Sequence, residues 1–381
     1  MRTLHLRLEG AAEQKPETAW DREPETAWDR AGADGPSWSD ADNAALDRAA
    51  AILRGGGTVA MPTETVYGLA ANALDPAAME KIFAAKQRPH WDPLIVHIAD
   101  LSMLQQVAAQ VPEAAQRLMD AWWPGPLTLL LPRAARVPDL VTAGRPLVGL
   151  RMPSHPVARE LIRRAGVPLA APSANRFGHI SPTTAEHVLE DLDGRIDAVL
   201  DAGATACGVE STVVDPTQQP CMLYRPGAVS AAQLEATLAP LGIPVVAWQV
   251  EALQSQPREA LPSPGVGLRH YAPRARLLLV PAQAVAGALA ALPQAARPAG
   301  LLLPLHLPAA QPEKPDAEEI CAWGDWLQPE TMAATLYAGL RALDAAGCRT
   351  IVAPIPPAEG IGAAILDRLR KAAVPEAESD Q

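Results

Sequence analysis

The chain has 381 residues, 49% of them hydrophobic and 20% charged, which is enough for two ordinary domains with packed cores. Aromatic residues make up only 4%, so the core must be mainly aliphatic, and Pro (39 residues) runs at about twice its ordinary share. A net charge of −11 argues against broad binding along a phosphate backbone, although a local pocket can still be positive.

Residues 1–40 read as a disordered tail, polar and acidic from about residue 9. The stretch Pro16 to Arg22 is repeated at Pro24 to Arg30 as Pro-Glu-Thr-Ala-Trp-Asp-Arg, and two copies are too few for a repeat architecture. Order is expected from near Asp40. Ala44 to Leu53 predicts a helix stopped by Gly55-Gly56-Gly57, and Thr58 to Met61 a buried strand. A helix from Pro76 through Ala85 follows, then a strand over Leu94 to Ile98, helix over most of Ser102 to Trp122, and a strand over Leu127 to Leu131. Further short strands are expected at Val148 to Met152, Leu169 to Ala171, Ala198 to Leu200, Ser211 to Val214 and Met222 to Tyr224. Helices are expected near Pro156 to Arg164, Thr184 to Leu189 and Ala231 to Leu238. This is the pattern of an α/β domain over 41–240. Residues 241–274 have the composition of a linker. A smaller α/β unit over 275–376 follows, with strands at Leu277 to Val280, Gly300 to Leu303 and Thr350 to Ile355. Its helices are Thr331 to Ala345 and Ile361 to Ala373, an alternation that suggests a Rossmann-like layer.

Several short motifs sit at element ends. Pro62-Thr63-Glu64-Thr65-Val66-Tyr67-Gly68-Leu69 follows a strand and reads either as a ligand loop or as a helix N-cap. Lys86-Gln87-Arg88-Pro89 is either a solvated helix end or an anion clamp, with Pro89 restricting Arg88 to extended geometry. Ser173 and Asn175 lie in a short polar loop, and Arg225 precedes Pro226-Gly227. His270-Tyr271 is an unusual pair of rings for a linker. Cys207, Cys221, Cys321 and Cys348 form no Cys-x-x-Cys pair, so no zinc or thioredoxin-like site is indicated and a reducing, cytoplasmic compartment fits. There is no Ser-His-Asp set, no nucleophile elbow, no phosphate loop and no metal-ligand spacing among the histidines. No signal peptide and no bilayer-spanning stretch is visible.

Taken in order over about residues 45 to 240, these segments resemble the L-threonylcarbamoyladenylate synthase family, built on the YrdC-type domain. The resemblance rests on Pro62 to Leu69, Lys86 with Arg88, Pro93-Leu94-Ile95-Val96-His97 and Trp123-Pro124-Gly125-Pro126. It continues through Val148-Gly149-Leu150-Arg151-Met152-Pro153, Ser173 with Asn175, Gly208 to Asp215 and Arg225-Pro226-Gly227. Ser263-Pro264-Gly265, His270 to Pro273, Gly360-Ile361-Gly362 and Asp367 to Arg370 resemble the longer two-domain form. Val266-Gly267-Leu268 departs from that form, where Met and a basic residue are expected.

The resemblance implies a twisted α/β domain, its mixed sheet around a central positive cavity, with a C-terminal Rossmann-like domain and a linker acting as a lid. It implies synthesis of L-threonylcarbamoyl-AMP from L-threonine, bicarbonate and ATP, with Mg²⁺ arriving on the ATP. The product would serve threonylcarbamoyladenosine modification of tRNA through a downstream transfer enzyme, with at most a weak tRNA contact and no membrane. It assigns Lys86 and Arg88 to catalysis, and Lys86, Arg88, Ser173, Asn175, Ser181, Arg225, His270 and Tyr271 to ATP. Thr63, Thr65, Tyr67, His97, Arg151 and Ser211 go to threonine. A non-catalytic double-stranded RNA-binding module is the rival from another class. A hydrogenase-maturation carbamoyltransferase would bring zinc-binding Cys-x-x-Cys segments that this sequence lacks.

Overall fold

The computed structural model describes residues 2–9, 37–248, 261, 263, 270–309 and 315–373. The duplicated heptapeptide, the Val266-Gly267-Leu268 departure and most of the expected lid lie outside the described residues. The chain divides into two compact units, residues 1–177 with 182–267, and 178–181 with 268–381.

The first unit is built on an eleven-stranded mixed sheet. Its strands are β1 (Leu4–Arg7), β2 (Val59–Met61), β3 (Gly68–Asn72), β4 (Ile95–His97), β5 (Leu127–Pro132), β6 (Leu147–Arg151), β7 (Leu169–Ala170), β8 (Ala198–Asp201), β9 (Thr212–Asp215), β10 (Cys221–Arg225) and β11 (Val245–Ala247). They lie in the order β1-β8-β2-β3-β7-β4-β6-β5-β9-β10-β11. Helices α1 (Asp40–Arg54), α2 (Pro76–Lys86), α3 (Glu113–Trp122), α4 (Asp139–Thr142), α5 (Pro156–Ala165), α6 (Ala185–Leu192) and α7 (Ala231–Leu238) join them. The start of α1 is set by Ser39, whose hydroxyl accepts from Asp42 N, and its buried face carries Leu46, Ala49, Ala50 and Leu53 at helical spacing. Asp75 caps α2 in the same way, Pro76 opens it, and Gln87 ends it in the left-handed region at φ 54°.

Three expectations are corrected. Leu4–Arg7, assigned to the disordered tail, is a strand paired in parallel with β8, and His5 and Arg7 both reach Asp201. The helix expected over Ser102 to Trp122 is a short 3₁₀ turn (Leu101–Gln106) and then α3, because Pro112 starts a new helix rather than continuing the old one. Pro62 to Leu69 caps no helix. Met61 pairs with Gly68, so Pro62 to Tyr67 is the loop of a β2–β3 hairpin.

The second unit holds a four-stranded, all-parallel sheet in the order β12-β15-β13-β14. The strands are β12 (Arg276–Val280), β13 (Ala299–Leu305), β14 (Glu319–Asp325) and β15 (Thr350–Pro354), with helices α8 (Val285–Ala290), α9 (Pro329–Ala345) and α10 (Gly362–Ala372). This is the expected Rossmann-like layer, with β14 and α8 added. No described helix is long and apolar enough to cross a membrane.

Candidate active site

In the first unit the separate motifs converge through backbone hydrogen bonds. Tyr67 O accepts from Ala174 N at 2.8 Å, Leu69 N donates to Pro172 O at 2.7 Å, and Gly68 bridges Ser173. A Cβ on Gly68 would stand 3.1 Å from that of Ala171, so the hairpin and the Ser173–Asn175 loop approach as closely as glycine permits. On the other side of the hairpin loop, Cys207 N and Gly208 N donate to Glu64 O and Thr65 O.

Lys86, the last residue of α2, is buried rather than solvated. Its Nζ donates to Ser173 O at 2.6 Å and Asn175 O at 2.5 Å, while its own carbonyl accepts from Phe177 N. Burial, and then the nearby Arg88 cation, push the Lys86 amine well below its ordinary range. Arg88, which follows the helix, is buried as well. It turns in, donating to Asp92 O (3.1 Å) and Pro93 O (2.6 Å) and forming an ion pair with the Asp92 carboxylate at 2.9 Å. Burial raises the Asp92 carboxyl against the pull of Arg88 and Lys86. The outcome is two basic side chains one residue apart, Lys86 bonded to the Ser173–Asn175 loop and Arg88 paired with the buried Asp92.

The second cluster surrounds Arg151 at the end of β6. Its Nη1 donates to Thr65 Oγ1 at 2.9 Å, its Nε to Gly125 O at 3.2 Å, and its Nη2 lies 2.7 Å from Glu64 Oε1. Thr63 Oγ1 and Thr65 Oγ1 are 2.9 Å apart. His97 on β4 stands opposite Arg151 in register. Burial, aided by the Arg151 charge, lowers its imidazole to about 3, so it is neutral. Its Nδ1 has no hydrogen-bond partner among the described residues. Ser211 Oγ meets Thr128 Oγ1 at 2.8 Å, and Arg225 holds Ser211 from behind. A Cβ on Gly227 would lie 2.3 Å from Thr212 N, so only glycine lets the Arg225-Pro226-Gly227 turn lie on that segment. Tyr67 differs from the rest. Its hydroxyl donates to Gly203 O and accepts from Ala202 N, so only its ring is left to shape a pocket.

Ser181, His270 and Tyr271 belong to the second unit, and all three are buried. Tyr271 takes φ 63° and stacks on Tyr337, with the Arg368 guanidinium 5.3 Å from its ring centre. Glu64 and Asp92 were not singled out in the sequence. The signal for Glu64 was its place between Thr63 and Thr65 within a motif, and that for Asp92 its place four residues after Arg88.

Two family models match the chain. One, described as "Telomere recombination", covers residues 51–227, and the other, "Threonylcarbamoyl-AMP synthase, C-terminal domain", covers 229–374. The threonylcarbamoyl-AMP synthase of Bacillus subtilis is 43% identical over 86% of this chain and 92% of its own length. The chain belongs to the threonylcarbamoyl-AMP synthase family. That of Pyrococcus abyssi is 40% identical over 85% of this chain and 92% of its own length. A solved structure of P. abyssi Sua5, complexed with L-threonine, superposes with a TM-score of 0.79 at 37% identity, covering 89% of this chain and 96% of that one.

Proposed function

We propose that the protein is a nucleotidyltransferase that makes L-threonylcarbamoyl-AMP. The threonine amine takes up bicarbonate with loss of water to give a carbamate. A carbamate oxygen then attacks the α-phosphate of ATP, forming the mixed anhydride and releasing pyrophosphate. Such a transfer needs alignment and charge neutralisation rather than a protein nucleophile.

The observation that carries this reading is the gathering of Lys86, Arg88 and the Ser173–Asn175 loop on one side of the β2–β3 hairpin. Lys86 and Arg88 are assigned to the triphosphate and to the charge developing at the α-phosphate, with Ser173 and Asn175 beside them. Arg151 takes the threonine carboxylate, and Thr63, Thr65, His97 and the ring of Tyr67 line the same subsite, with Ser211 beside it. Arg225 is given to the nucleotide. Ser181, His270 and Tyr271 are given to it on the family pattern alone. Mg²⁺ is proposed to come with the triphosphate. Two of the buried acidic side chains, Glu64 and Asp92, are each paired with an arginine. The product would pass, in the cytoplasm, to a tRNA threonylcarbamoyl-transfer enzyme.

The test is pyrophosphate release from ATP with threonine and bicarbonate added or omitted singly. Release is expected only with both. ATP binding without turnover, together with salt-dependent binding of duplex RNA, would favour the RNA-binding alternative.

A further inference from the structure

Glu64 sits at the middle of the β2–β3 loop and is fully buried. Oxygen Oε1 pairs with Arg151 Nη2 at 2.7 Å and accepts from Ser154 N at 3.1 Å. Burial alone would raise the carboxyl. Arg151 and the Ser154 N–H together reverse that and hold it below its usual range, so the residue is a carboxylate. The other oxygen, Oε2, has no hydrogen-bond partner among the described residues, and neither do His155 Nδ1 and Ser154 Oγ close by.

A pair this dry is a poor way to stabilise a fold. Each ion costs several kcal/mol to desolvate, and an apolar pair of similar volume commonly serves as well. A carboxylate placed for stability alone would also have both oxygens satisfied. What the pair does achieve is orientation. Arg151 is held from three separate segments: a carboxylate and a hydroxyl from the β2–β3 loop, a carbonyl from Gly125, and its own backbone on β6. Nε and Nη1 are hydrogen-bonded, while Nη2 sits against Glu64 Oε1 as an ion pair and completes no hydrogen bond among the described residues. An arginine carries five N–H donors, and only two of those on Arg151 are in hydrogen bonds among the described residues, so the guanidinium keeps donors for a substrate carboxylate.

We infer that Glu64 is a positioning residue for threonine. It keeps the Arg151 guanidinium fixed in plane and its charge balanced, so that threonine's carboxylate meets a preformed fork. This rests on the assignment of Arg151 to that carboxylate.

The experiment is steady-state pyrophosphate release by the full-length protein, titrating threonine and ATP separately, for Glu64→Gln, Arg151→Lys and the double variant. Glu64→Gln is expected to raise the threonine KM about ten-fold or more while the ATP KM stays within about two-fold. The double variant is expected to cost little beyond Arg151→Lys alone, because Glu64 acts through Arg151. A Glu64→Gln protein with a lowered Tm but an unchanged threonine KM would overturn the inference. An unchanged threonine KM in Arg151→Lys and Arg151→Ala would instead remove the assignment beneath it. If Glu64→Gln does not fold, Glu64→Asp keeps the charge, draws the carboxylate back by one methylene, and carries the same prediction.

Discussion

Arg225 reaches back across its turn to Ser211, donating from Nε to the carbonyl at 3.0 Å and from Nη2 to Oγ at 3.1 Å. Ser211 Oγ in turn meets Thr128 Oγ1. A residue assigned to the nucleotide thus also holds one assigned to threonine. Arg225→Lys keeps the cation but cannot reproduce both bonds. It is expected to raise the threonine KM as well as the ATP KM, each by about three- to ten-fold. A change in the ATP KM alone would mean that Ser211 does not depend on Arg225.

Lys86→Met and Arg88→Gln are each expected to cut turnover by about a thousand-fold or more, since each removes one of the two cations proposed to neutralise the transferring phosphate. Lys86→Met should keep the fold, whereas Arg88→Gln leaves the buried Asp92 carboxyl without its ion pair and is expected to lower the Tm as well. Methionine fills the volume of the lysine stem without requiring a buried charge, and Lys86 bonds only to carbonyls of an otherwise well-anchored loop. Circular dichroism beside the rate assay separates the two effects. Near-normal turnover in both variants would remove the catalytic assignment.

Burial and Arg88 push the Lys86 amine down, and a triphosphate set between the two cations would oppose both influences. ATP binding is therefore expected to draw a proton onto the protein. Calorimetry of binding in buffers of different ionisation enthalpy measures this directly. Proton uptake is expected across the pH range in which the free Lys86 amine titrates, and that component should be absent from Lys86→Met. Proton release on binding would contradict the assignment.

His97 and His155 are both buried and neutral, with imidazoles lowered by burial to about 3 and about 4. Their folded values lie below the unfolded value of 6.5. Their stabilisation is therefore complete above pH 6.5 and is lost as pH falls toward the folded values. Together they should cost about 2–3 kcal/mol between pH 6.5 and pH 5. Glu64, with an ordinary value of 4.5, adds its own acid sensitivity only further down, and the raised Asp92 works in the opposite sense. Urea midpoints at the two pH values test this. A His97→Asn, His155→Asn double variant should show a flatter dependence, and an unchanged slope would refute it.

Much of the first unit was legible because its elements carry local signals. Pro76 opens a helix, Gly55 closes one, and the apolar runs at β4, β5 and β6 are buried strands, whereas the Ser39 cap went unread and α1 starts at Asp40, ahead of the expected Ala44. The motifs were legible as a series but not as a site. Nothing local in Pro62 to Leu69 says that it is a hairpin loop laid against Ser173, since that contact depends on long-range pairing. Glu64 stayed hidden for a related reason. A buried carboxylate is recognisable only once its arginine is known, and Arg151 lies 87 positions from Glu64. In the second unit, β14 (Glu-Ile-Cys-Ala-Trp-Gly-Asp) is an edge strand with several exposed positions, and it lacks the apolar run that marked its neighbours.

The first strand has a practical consequence for handling this chain. β8 (Ala-Val-Leu-Asp) is buried and largely apolar, and β1 covers one of its edges, with His5 and Arg7 both reaching Asp201 at its end. Trimming the protein back to the start of α1, as the polar stretch after residue 9 invites, would bare that edge. A flat, greasy strand with unpaired amides is a template for neighbouring chains. The shortened protein should then suffer mainly in solubility and shelf life, and a soluble, active preparation would be easiest to obtain with the first eight residues left in place.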